Sequence, residues 1–560
     1  MKDKNLDYHY IIGLFLILLV LTCFTLFSKK QISKKENPFN QDRLSFFYKK
    51  KNNKKEQFFS LENNVMKIRI SNIGGVIHDI YLKNYKDYNQ FSSYKNRKLY
   101  LSLNSSFFHE ILLSNKKGII IHTSDLIFHP FFIKRNHLYT TIVMRAKNPH
   151  GNGLIDFIYK INNNKRYDIR FFVRIVNMYP FNKFVSFNTE QNILSLEKDK
   201  NWENSYTQVY YSIFNQNKLS SSIHYLSSKK EDKKNINNIK WIALKQQFFS
   251  TIVIPSKIMK NVFISSKIFS SKKFLKKVYF HSWMNNKKSD VNFSFTFYFG
   301  PLDYYSLKSY HNDFENIIPF GWGFLKWINT YFFLNIFQLL EKTDLNYGII
   351  IILMTIVVKL IFMPITYKQY KLGAVMRLIR PDIEKINKTY QNEDVIRKQQ
   401  AIMSLYKKNG VNPMSGCLSA LFQIPIFYSL FKFFPTLLNL RGKHFLWVND
   451  LTSYDSIWEL PFFIPFYGNH VSLLTLLYSI ALLVYTKMSE NDNKEDSFQE
   501  NSMHLHLLSY LMPFMMLLFI NSYASALSLY YFTSNIINII FLFFMKKIVN
   551  YENKKIVIIK

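Results

Sequence analysis

Residues Tyr347–Met363 are almost wholly apolar and carry one cation, Lys359. As a helix at 1.5 Å per residue they extend about 25 Å, most of the way across a bilayer core. A chain with such a segment folds partly in lipid, where backbone groups must be satisfied within helices. The lysine adds a second constraint. An ammonium in hydrocarbon is costly, so it faces a protein interior, a pathway or a wet cavity, or its stem snorkels to the headgroups. Lys359 lies about two-thirds along the run, shortly before Pro364, and therefore off the midplane. A substrate-facing positive groove is the sharper of these readings.

At 560 residues the chain is too long for one typical domain. It has 54 Phe and 37 Tyr, yet a mean hydropathy of −0.08, because apolar runs alternate with Lys- and Asn-rich ones. That mixture fits a membrane protein with a large soluble part. The formal charge of +36 raises nucleic acid as a partner. The lysines are scattered, however, with no zinc-finger spacing and no paired aromatic-basic RNA signature, so contact with a ribosome surface is the stronger reading. Cys23 and Cys417 lie far apart in apolar segments, which excludes a disulfide scaffold and a cysteine metal site. Thr22 precedes Cys23 where a lipoprotein signal prefers a smaller residue.

Ile11–Phe27 is seventeen uncharged residues without a small-x-small cleavage site, so residues 1–27 read as a retained signal anchor. Residues 28–58 read as a charged tether. From 59 to 310 the pattern is β. Val291, Phe293, Phe295, Phe297 and Phe299 alternate with polar residues and Tyr298 up to Gly300-Pro301, placing five large apolar side chains on one sheet face. Phe157–Ile161, the Asn162-Asn163-Asn164 turn and Tyr167–Ile175 read as a hairpin, and Gly74-Gly75 breaks two further runs. A soluble antiparallel sandwich fits this region.

Within residues 311–345, Phe320–Leu340 mixes Trp322, Trp327 and other apolar residues with Lys326, Asn329, Thr330, Asn335 and Gln338. It reads as an amphipathic helix lying at the membrane interface. As a span it would reverse the side of every later loop. Tyr367–Asn409 is basic, and the stripes Ile383, Ile386, Tyr390 and Val395, Gln399, Ile402, Tyr406 predict two amphipathic helices packed as a hairpin. Further spans read at Cys417–Leu440, Val471–Lys487, Leu507–Phe519 and Leu527–Met545, within a core of residues 346–545. Arg441–His470 reads as a folded external loop. Six spans put both termini, the hairpin 367–409 and the basic tail 546–560 in the cytoplasm, with the β domain outside.

The residues resemble the YidC/Oxa1/Alb3 family, in the bacterial form with a large periplasmic domain. The carrying motifs are Asn346-Tyr347-Gly348-Ile349, Lys359 to Met363-Pro364-Ile365-Thr366 and Gly410-Val411-Asn412-Pro413-Met414-Ser415-Gly416-Cys417. They continue in Leu421-Phe422-Gln423-Ile424-Pro425, Phe445-Leu446-Trp447-Val448-Asn449-Asp450-Leu451 and Leu529-Tyr530-Tyr531-Phe532-Thr533-Ser534-Asn535. The resemblance implies a periplasmic all-β supersandwich joined to an α-helical transmembrane bundle of one N-terminal span and a five-span core, in a multi-pass protein of the cell inner membrane. Ser419, Ala524 and Ala526 depart from the residues that many relatives carry.

The resemblance further implies a membrane protein insertase and chaperone that works through a hydrophilic groove, with Lys359 as its positive residue. The expected clients and partners are nascent membrane proteins, the Sec translocon (SecYEG), the signal recognition particle and its receptor, the ribosome and membrane lipids. Gln423, Ser525, Ser528, Thr533 and Ser534 are candidate polar lining, each with interhelical hydrogen bonding as its bland alternative. No phosphate-binding loop, metal-spaced His pair or recognisable triad stands out, so neither enzyme activity, a metal nor a cofactor is expected. A secondary transporter or channel is the alternative, although neither inverted repeats nor a closed midplane site is evident.

Overall fold

The computed structural model describes residues 56–558, apart from 89–97, 116–118, 150, 165, 179–183, 216–219, 270, 272, 286–290, 391–394, 411–414, 466 and 492–499. The expected span Ile11–Phe27, nearly all of the tether, the Asn412-Pro413 motif and the turn of the basic hairpin lie outside the described residues.

The β alternation folds as its period requires. Val291–Pro301 is a central strand of a nine-stranded antiparallel sheet, paired with Asp168–Val176 on one side and Phe249–Pro255 on the other. Leu154–Asn162 pairs with Asp168–Val176 as the expected hairpin. A six-stranded sheet containing Phe107–Ser114, Phe184–Leu194 and Phe274–Asn285 lies face to face with it. Phe187 from the smaller sheet stacks on Phe295 at 4.0 Å, and Phe107 meets Phe297 and Phe299 edge-on. Burying each such ring stabilises the sandwich by about 2 kcal/mol. Gly75 (φ +61°) is fixed by space as well as by backbone, because a Cβ there would come within 2.9 Å of Phe157.

Tyr298 points from the same strand to the opposite face, and it is buried too. That face is covered by the chain leaving the sheet. Trp241, Tyr298 and Phe314 run into Phe320, Phe333 and Phe337 and on to Ile350, Met354 and Phe433, one continuous core from sheet to helices. The Gln247 amide donates to the Pro435 carbonyl (2.9 Å), and Arg441 bonds Glu197 across the same junction.

Seven main helices follow: α1 Tyr347–Leu378, α2 Arg380–Thr389, α3 Val395–Lys408, α4 Ser415–Phe433, α5 Leu473–Asn491, α6 Glu500–Ile520 and α7 Ser525–Ile558. Tyr347–Leu372 and Ser525–Ile548 are each long and apolar enough to cross a membrane. The first helix continues beyond the apolar run and through Pro364, since neighbouring groups can re-satisfy the backbone that a proline frees in such helices. One expected boundary is corrected. Ser415–Phe433 stops short of Leu440, where Pro435 enters a 3-10 turn at Phe434–Thr436.

The segment before α1 is helical over Gly323–Trp327 and Leu334–Glu341, with a π-helical stretch Ile328–Phe333 between. Its polarity differs from an ordinary amphipathic helix. Trp322, Phe324, Trp327 and Tyr331 are exposed, whereas Asn329 and Thr330 are buried. The Asn329 amide donates to the carbonyls of Phe320 (2.7 Å) and Ser429 (2.9 Å), tying the helix to α4. This inward polar pair is why the run looked evenly mixed in sequence.

Candidate functional site

Helices α1 and α7 pack side by side, and Lys359 sits on the α1 face turned towards α7. Its ammonium donates to the side-chain carbonyl of Asn538 at 2.9 Å. The lysine is half-buried, next to the buried Val358 and one turn from the buried Met354 and Thr355. Below it, Tyr367 and Tyr370 of α1 close against Phe541 and Met545 of α7. Among the described residues no carboxylate bonds Lys359, and its hydrogen-bond partner is one neutral amide. A side-chain dipole compensates a monopole only partly, and the site keeps an attraction for acidic groups.

Asn538 was not singled out in the sequence. A signal existed: it stands four residues after Ser534 and three after Asn535, so these polar groups share one stripe in an apolar helix. Ser534 and Asn535 are buried, Thr533 is half-buried, and the Asn535 amide nitrogen has no partner among the described residues. Gln423 is exposed on α4.

Ser525 and Ser528 lie elsewhere. Thirteen residues separate Ser525 from Asn538, about 20 Å along the helix. The Ser525 backbone N–H and hydroxyl both donate to the Ser453 carbonyl, at 2.8 and 2.6 Å. The Ser528 hydroxyl meets Thr475 of α5 at 3.1 Å, and Thr475 in turn accepts from Ser472. Both serines therefore bond helix ends to the 441–458 loop and to α5. In the basic hairpin, Ile383, Ile386, Tyr390, Ile402 and Tyr406 are half-buried between α2 and α3, while Gln399 faces solvent. Val395 opens α3, and its side chain is outside the described set.

A family model described as 60Kd inner membrane protein matches residues 338–554, and one described as YidC periplasmic domain matches residues 59–334. The chain is 35% identical over 506 residues to a membrane protein insertase YidC of Parabacteroides distasonis, a match covering 87% of this chain and 77% of that relative. The chain belongs to the YidC family. A YidC of Bacteroides fragilis is 32% identical over 518 residues, covering 89% of this chain and 80% of its own. A crystal structure of an active YidC insertase with its first transmembrane domain resolved aligns at 20% identity over 86% of this chain and 92% of that one, with a TM-score of 0.32. The β-sandwich thus corresponds to the YidC periplasmic domain, and the helices carrying Lys359 and Asn538 to the inner membrane part.

Proposed function

We propose that this protein is a membrane protein insertase and chaperone, in which the Lys359–Asn538 region is the hydrophilic face offered to client segments. The observation that carries this reading is a cation on a membrane-length helix answered, among the described residues, by a single neutral side chain. Such a group lowers the cost of bringing a polar or acidic segment into a low-dielectric environment, and it needs no bond-making chemistry. Ser534 and Asn535 continue the polar stripe along α7, and the half-buried Thr533 and the exposed Gln423 of α4 are the remaining lining groups. Ser525 and Ser528 act as outer fasteners.

In this reading the chain crosses the inner membrane six times, counting Ile11–Phe27, α1 and α4–α7. Both termini and the basic hairpin α2–α3 are cytoplasmic, the β-sandwich is periplasmic, and helix 323–341 lies at the outer lipid surface with Trp322, Phe324 and Trp327 outward. The hairpin is the meeting point for the ribosome, the signal recognition particle and its receptor, and acidic lipid, while the spans engage nascent chains alone or beside the Sec translocon. Polybasic elements of this kind bind anionic surfaces with strong salt dependence.

The test is reconstitution of the full chain into liposomes with a nascent single-span client, followed by protease protection of the client. Insertion is the expected result. Uptake of a small solute without insertion would establish the transporter reading instead, and neither activity would leave a scaffold.

A further inference from the structure

His129–Arg135 is the terminal strand of the nine-stranded sheet, and all seven of its residues are exposed. It pairs only with Tyr139–Lys147, so its outer backbone edge is open among the described residues. An edge of this kind is a template for another strand. Its side chains are unusual for an open edge. Phe131 (62% exposed), Phe132 (51%) and Ile133 (52%) project from both faces of the strand, and Leu138 (61%) stands at the hairpin tip.

The charge on this edge has one sign. Between Leu126 and Lys147 there is no Asp or Glu, while Lys134, Arg135, Arg145 and Lys147 are cationic. Arg145 is held by Asp156 on the next strand and lies over the Phe131 ring at 3.7 Å, which leaves Lys134 and Arg135 as the exposed cations of the edge itself. Two such edges from two copies would bring like charges along one seam, which disfavours self-pairing. Pro130 and the register shift between Pro130 and Phe132 blunt it further.

The register also orients the edge. Arg135 pairs with Thr140, Thr140 with Ile161, Ile161 with Ile169 and Ile169 with Phe297. The basic end of the edge therefore lies at the same end of the sheet as Phe299–Pro301, where the chain departs for the helices, four strand steps or about 19 Å across.

We propose that the His129–Arg135 edge takes up, as an added strand, an extended segment of a client protein that carries a short apolar run beside a pair of acidic residues as it emerges on the β-domain side. The open backbone supplies main-chain hydrogen bonds, Phe131, Phe132 and Ile133 flank apolar positions, and Lys134 and Arg135 face the acids. This inference rests on the insertase reading and names the client chemistry that the β domain receives. The same acidic segments are those that Lys359 attracts in the helical part.

The test places a photo-crosslinking residue at Phe132 of the full chain in liposomes, with a single-span client whose translocated tail carries a short Val run beside a pair of Glu. The expected result is a crosslink to that tail, weakened about threefold or more by Lys134→Glu with Arg135→Glu, and recovered in that variant when the tail carries Lys in place of Glu. Client insertion is scored separately by protease protection. Insertion without a crosslink at position 132, or with crosslinks only to lipid or to a second copy, would overturn the inference and leave the insertase reading standing. Absence of insertion with every tail would overturn the insertase reading itself.

Discussion

Arg441 and Glu197, 244 residues apart in sequence, form a buried ion pair between the helical part and the β-sandwich, with Arg441 Nε donating to the two carboxylate oxygens at 2.8 and 3.0 Å. The remaining guanidinium nitrogens donate to the carbonyls of Lys86 and Leu196, and the group lies over the rings of Tyr88 and Phe249. Next along the chain, the Gly442 N–H donates to Asp450 (3.0 Å), in the loop whose Ser453 carbonyl holds the start of α7. The β domain is thus bonded, through one loop, to the helix that carries Asn538.

Removing one partner of this pair strands the other in a dry site. Arg441→Ala is expected to destabilise the protein by about 3 kcal/mol, read as a fall in thermal midpoint in detergent, whereas Arg441→Met with Glu197→Met recovers most of the loss. A double variant as unstable as the single one would show that the charges themselves hold the junction.

Glu203 supplies a pH test. Burial, and then the neighbouring Glu197 carboxylate, push it up to about 8 from its ordinary 4.5, despite bonds from Ser195 and the Leu196 and Glu197 backbone. The folded state therefore binds the proton more tightly than the unfolded chain. Its contribution is complete below 4.5 and is lost as pH rises through about 8. The thermal midpoint of the wild-type protein relative to Glu203→Gln should decline steadily across that window. A constant difference would mean that Glu203 is ionised throughout.

The expected topology is checked by single cysteines in intact cells. A cysteine at Ser222 in the β domain or at Asn439 should react with an impermeant maleimide, and one at Ser404 on α3 should react only after the membrane is opened. Labelling of Ser404 from outside would make helix 323–341 a span and reverse the later loops.

What could be read from sequence followed the range of the interactions. The Val291–Phe299 alternation is local and periodic, and it folds as its period requires. Of the α2–α3 stripes, Ile383, Ile386, Tyr390, Ile402 and Tyr406 are half-buried, whereas Gln399 faces solvent. The isolated Lys359 stood out because nothing near it in sequence could neutralise it. Its partner did not, since Asn538 is 179 residues away and an asparagine in a helix has many possible uses. Ser525 and Ser528 looked like lining because composition does not reveal that a loop carbonyl and Thr475 occupy their hydroxyls. Arg441 and Glu197 gave no sign at all, being ordinary charged residues until two domains meet.

The most direct measurement of the central claim is insertion by Lys359 variants in proteoliposomes, at matched protein levels, with clients differing only in the charge of the translocated tail. Lys359→Ala is expected to lower insertion of an acidic-tailed client about tenfold, the effect of roughly 1.4 kcal/mol on the barrier, while changing a neutral-tailed client little. Lys359→Arg should retain most activity because it keeps the monopole. Equal insertion of both clients by Lys359→Ala and the wild-type protein would contradict the account.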